Sequence, residues 1–128
     1  GAQGSHGVLR SRDDATFDET LRLAMASGAD AVQLVTWNDF GEGTVIEPTR
    51  EFGYRYLERV QEARRELDDA PFPYTTDDLR LPARIYGLRK LHAKEDVVLD
   101  ALRAAEEAAR RGSMHDAREG VDAIDGQR

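Results

Sequence analysis

A chain of 128 residues, 40% hydrophobic and 34% charged, is long enough for one modest domain with a real core. Its net charge of −7 argues against a nucleic-acid or anionic-membrane surface, since both reward clustered Lys and Arg. No stretch is long and apolar enough to span a bilayer.

Residues 1–12 are Gly-rich and polar and read as an irregular lead-in, without an apolar signal segment. Thr16 followed by Glu19 has the spacing of a capping box, in which each side chain satisfies a free backbone N–H. Phe17, Leu21, Ala24 and Met25 then recur at helical spacing, and Gly28 is the expected stop. The run Ala31-Val32-Gln33-Leu34-Val35-Thr36-Trp37 is short and apolar and predicts a strand buried on both faces. Residues 38–50 form a Gly-punctuated loop closed by Pro48. Phe52, Tyr56, Leu57, Val60 and Leu67 mark one side of a following helix. Helix, strand, loop and helix in this order describe a crossover unit of an α/β protein.

Pro71 and Pro73 mark a change of character. Leu79, Leu81, Ile85, Leu88 and Leu91 predict a short helix with Pro82 in its first turn. Val97 or Val98, Ala101, Ala104 and Ala108 predict a longer, alanine-rich helix that ends at Arg110, Arg111 and Gly112. Ser113 is the expected cap of a last helix through Ala117, Val121 and Ile124, and the last two helices form a hairpin. A single interior strand has no partner for its backbone groups, whose burial unpaired is costly. Its partners are therefore expected in a preceding part of the same polypeptide or in a second copy.

The absence of cysteine excludes disulfides, thiolate metal sites and a cysteine nucleophile, without fixing a compartment. His6, His92 and His115 are too scattered for a local metal site, and His92 and His115 read as exposed helix-end residues. The chemistry concentrates in Trp37-Asn38-Asp39-Phe40-Gly41-Glu42-Gly43-Thr44. Asp39 and Glu42 flank Gly41, so both carboxylates can turn into one cleft. Glycosidic cleavage uses such a pair, one group to protonate the leaving oxygen and one to act on the opposite side. Trp37 and Phe40 offer flat faces to a sugar ring, and Asn38 can exchange hydrogen bonds with hydroxyls. The same residues also suit a solvated turn, and Asn-Asp is a common turn dipeptide. Asp39, Glu42 and Glu47 lack the alternating oxygen ligands of an EF-hand loop.

The run from Val35 to Pro48, Val-Thr-Trp-Asn-Asp-Phe-Gly-Glu-Gly-Thr-Val-Ile-Glu-Pro, resembles the final-strand signature of glycoside hydrolase family 99 and its bacterial relatives. Trp-Asn-Asp-Phe-Gly-Glu also resembles family 71, and the likeness covers about residues 13–60, with an echo at Asp78-Leu79-Arg80-Leu81-Pro82. The resemblance implies an α/β fold: the C-terminal βα unit of a TIM-type (β/α)8 barrel over residues 1–70, followed by a helical extension over 71–128. A whole barrel takes roughly 250 residues, so the barrel here is expected to be incomplete.

Carried over by position, the resemblance makes Glu42 the acid/base and Asp39 the second catalytic carboxylate. Trp37, Asn38 and Phe40 would line the sugar subsites, and Glu47 would bind sugar or anchor the loop. Family 99 carries Glu where this chain has Asp39, so the resemblance leaves retention and inversion open. The substrate class implied is an α-mannoside or α-glucan oligo- or polysaccharide, with no cofactor and no metal. The 128 residues alone are expected to be inactive, because barrel sites draw on loops after several strands. Two other expectations stand beside this: a non-catalytic carbohydrate-binding or helical interaction module, and a protein associated with polysaccharide biosynthesis.

Overall fold

A computed structural model describes residues 10, 12, 14–67 and 71–126 of the chain. Most of the expected lead-in, with His6, therefore lies outside the described residues. The fold is mostly helical, with one two-stranded sheet. The elements are α1 (Ala15–Ala26), β1 (Asn38–Asp39), β2 (Thr44–Val45), α2 (Arg55–Leu67), a 3-10 turn (Thr76–Arg80), α3 (Leu81–Leu91), α4 (Asp96–Arg110) and α5 (Met114–Asp125). They cluster into two compact units that divide between Glu47 and Pro48.

In the first unit α1 has the predicted stripe, with Phe17, Leu21, Ala24 and Met25 half-buried, and Gly28 follows it at φ +73°. A left-handed residue just beyond a helix satisfies its last carbonyls, and glycine adopts it without strain. The expected capping box does not form. Asp14 occupies the N-cap position at φ +76°, a conformation that Asp tolerates better than most residues. The Thr16 hydroxyl instead donates to the Arg10 carbonyl at 2.5 Å and accepts from Arg12 Nε at 3.1 Å. Glu19 pairs with the Arg12 guanidinium. Arg12 thus draws both members of the expected box away from the helix end.

The second correction concerns residues 31–37. They form no strand, and Val32, Leu34, Val35 and Trp37 are all exposed. The reason is the one that makes interior strands interior: a run apolar on both faces needs ladder partners and covering layers, and the described residues supply backbone partners only at its Thr36–Trp37 end, through the N–H groups of Ile46 and Glu47. Strand pairing begins only at Asn38. There Asn38 faces Val45 and Asp39 faces Thr44 in an antiparallel pair.

The second unit is built from α2 and the three C-terminal helices. Thr49 and Gly53 bridge a tight turn, with Gly53 at φ +59°, which delivers the chain into α2. Pro82 lies in the first turn of α3, where its missing N–H costs nothing, and Leu81, Ile85 and Leu88 face inward. From α4 come Leu102, Ala105 and Ala108; from α5 come Met114, Ala117, Val121 and Ile124. Together these residues form one core, and Leu102 and Val121 are fully enclosed. The predicted hairpin of α4 and α5 is present, turned by Gly112 at φ +80°.

Small residues let the two helices approach closely. A methyl group on Gly120 would stand 3.2 Å from the Ala105 Cβ. The inward line of α4 runs through Val98, Ala101, Leu102, Ala105 and Ala108, so of the two expected valines it is Val98 that packs inward, and Ala104, expected inside, is exposed. Leu67 and Leu91, each the last residue of its helix, are also exposed, contrary to the simple periodic reading. Ser113 takes the expected N-cap position of α5 without making a side-chain cap bond.

Polar clips tie these helices together. Arg84 of α3 pairs with Asp122 at 2.7 Å and Asp125 at 2.5 Å on α5, and these two carboxylates raise its pKa. Arg89 of α3 reaches Glu106 of α4 at 2.7 Å. Arg80 donates to Glu58 of α2 at 2.6 Å and lies over the Tyr54 ring, 4.7 Å from its centroid.

Candidate functional site

The predicted chemistry-bearing residues all fall on the β1–β2 hairpin or directly beside it, within the first unit. The turn consists of residues 40–43 and depends on Gly43, which adopts φ +71°. Asp39 shapes the turn with its side chain, since its Oδ1 accepts the Glu42 N–H at 3.0 Å. This is the local bond by which Asp commonly mimics a backbone turn. A Cβ at Gly41 would stand 3.3 Å from that same oxygen, so the tight wrap favours glycine there.

The base of the hairpin is closed by main-chain bonds. The Trp37 carbonyl accepts from the N–H of Ile46 at 3.0 Å and of Glu47 at 2.9 Å. Ile46 is buried, whereas Trp37 and Phe40 are 54% and 64% exposed. Each ring thus leaves an apolar face open to solvent, the kind of face on which the C–H surface of a sugar can stack. Glu47 joins the hairpin through its backbone N–H.

Asp39 and Glu42 are therefore brought together in one turn, but not as two carboxylates opening equally into a cleft. Glu42 is exposed, while Asp39 is half-buried with one carboxylate oxygen engaged on the Glu42 backbone. Asn38 is exposed and pairs through its main chain with Val45. Sequence reasoning passed over Thr36. Its hydroxyl accepts the Asp39 N–H at 3.0 Å, donates to the Thr44 carbonyl and lies 3.0 Å from the Thr44 hydroxyl. The signal for it was weak, since a Thr inside an apparent strand reads as a β-branched filler.

In the second unit, sequence reasoning also missed a buried polar node at the start of the 3-10 turn. Asp78, only 8% exposed, accepts from the Thr75 N–H at 2.6 Å and from its hydroxyl at 3.1 Å. Gln61 of α2, also 8% exposed, donates to the Thr75 carbonyl at 2.9 Å. Arg118 of α5 donates to the Thr75 hydroxyl at 3.3 Å and lies 3.5 Å from Asp78 Oδ1. The node fastens α2 and α5 to the turn before α3. It gives the Asp78-Leu79-Arg80-Leu81-Pro82 run a local structural role: cap, ion pair, core residue and helix start.

His92 is not the exposed helix-end residue expected. Its side chain is largely covered, with Nδ1 3.0 Å from a Glu95 oxygen. His115 is exposed, as expected. Among the described residues, no group of three or more His, Cys, Asp or Glu side chains is disposed to hold a metal ion. No helix among them is long and apolar enough to cross a membrane. No protein-family model, curated protein or solved structure matches the chain.

Proposed function

We propose that the hairpin is the acid-bearing element of a glycoside hydrolase that cleaves α-mannoside or α-glucan linkages. Glu42 is the acid/base, and Asp39 is the partner carboxylate. Trp37, Asn38 and Phe40 form the surface that meets the sugar. The observation that carries this reading is the turn itself: two carboxylates three residues apart, one tied to the backbone of the other, with Trp37 and Phe40 exposed in the same segment. The likeness of residues 35–48 to the family 99 and family 71 signatures supplies the reaction class.

In this reading residues 31–37 are the last strand of a (β/α)8 barrel, and their exposed apolar side chains are the faces its neighbours would cover. The chain alone does not turn substrate over, because the remaining subsites lie on loops of other strands. A second reading, a carbohydrate-binding module without catalysis, is favoured by one observation. Asp39 Oδ1 is committed to the Glu42 N–H, as in a turn whose acid is purely structural.

Product analysis on the native polypeptide that contains these residues separates the readings. Sugar release from α-linked manno- or gluco-oligosaccharides without any donor supports hydrolysis. Products that form only with an activated sugar donor indicate a biosynthetic role. Saccharide binding with no product under either condition indicates the binding module.

A further inference from the structure

The Thr36 hydroxyl is the junction of the hairpin. It uses both of its hydrogen-bonding capacities, accepting the Asp39 N–H at 3.0 Å and donating to the Thr44 carbonyl across the sheet. One oxygen on the residue before Trp37 thereby fixes a main-chain position on each of β1 and β2. The next bond along is that of the Asp39 carboxylate to the Glu42 N–H at 3.0 Å, and no Cβ at Gly41 crowds it. The order of control runs from the Thr36 hydroxyl to the Asp39 backbone, to the Asp39 carboxylate, and to the backbone that carries Glu42.

We propose that Thr36 is the positioning residue of this site. Its hydroxyl, not its methyl group, sets the turn that carries Glu42. The use of the turn rests on the saccharide reading above, whereas the control of its geometry does not. Thr36 itself acts only through Asp39 and Thr44. Valine at this position keeps the branched shape and removes the hydroxyl; serine keeps the hydroxyl and removes the methyl.

The test compares the whole chain as wild type, T36S and T36V by amide hydrogen exchange. Trp37, the single tryptophan, serves as the fluorescence reporter in a titration with an α-linked manno- or gluco-oligosaccharide. Loss of the hydroxyl, which accepts the Asp39 N–H and donates to the Thr44 carbonyl, is expected to speed exchange at the Asp39 and Glu42 amides about tenfold in T36V, with T36S within about twofold of wild type. The saccharide midpoint is expected to move in the same order, while the amides of α3, α4 and α5 stay unchanged and show that each variant is folded. Exchange in T36V equal to wild type, or T36S as loose as T36V, overturns the proposal. A wild-type Trp37 that does not respond to the saccharide tells against saccharide binding by the hairpin on its own, and the exchange comparison still decides the role of Thr36.

Discussion

At the scale of single residues, Asp39 and Glu42 take different parts in the turn. Glu42 is exposed and lends the turn its backbone N–H. Asp39 is spent partly on the turn, so Asp39→Ala is expected to loosen the hairpin as well as to remove a charge. Faster exchange at the Glu42 amide would register the loosening. Gly87 offers a cleaner stability test. It lies inside α3, and a methyl group there meets nothing within 4 Å. Gly87→Ala is expected to stabilise the protein by about 0.5–1 kcal/mol, measured by chemical denaturation, because alanine loses less backbone freedom in a helix.

Glu19 supplies a pH prediction at the same scale. The hydrogen bond and charge of Arg12 hold its carboxyl below the ordinary glutamate range. A depressed acid contributes stability that is present above its unfolded pKa and lost as pH falls through its folded value. Acidification is therefore expected to release the Arg12–Glu19 link, and Arg12→Gln to move the Glu19 titration up to the ordinary range by NMR. Both side chains are about half exposed, so solvent screening keeps the effect on global stability small.

At the scale of elements, helices were legible where their periodicity had a core to answer to. Leu81, Ile85 and Leu88, and Ala117, Val121 and Ile124, lie inward as their spacing indicated, because each faces a neighbouring helix. The pattern failed at helix ends such as Leu67 and Leu91, where the last turn has outrun its neighbours. It failed most clearly at residues 31–37, since strand character is completed by partners and not by the run itself. Composition identified the hairpin residues, but not the inward bonding of Asp39 or the bridge made by Thr36, which depend on register. Leu102 tests the core directly: fully enclosed between α4 and its neighbours, its change to Ala is expected to cost about 2–5 kcal/mol in denaturant unfolding.

For the whole molecule, the helical unit from Pro48 onward encloses its own core, whereas the first unit has α1 without a buried residue and an uncovered apolar run. Limited proteolysis with an aromatic- and leucine-directed protease is expected to cut first at Leu34, Trp37 or Phe40 and to leave α3, α4 and α5 intact. Equal cutting rates across both units would show that burial does not divide the chain in this way. An exposed apolar run beside a carboxylate turn is also what a barrel segment without its neighbouring strands would present. The proposed reaction class rests on the short run from Val35 to Pro48, which in the structure forms the β1–β2 hairpin and its flanks. The most direct measurement is reducing-sugar release from α-linked manno- and gluco-oligosaccharides by the native polypeptide and by its Glu42→Gln variant. Loss of a positioned general acid is expected to lower turnover by about 10²–10⁴-fold while saccharide binding is kept. Turnover that is equal in the two proteins would contradict the assignment of Glu42 as the acid/base.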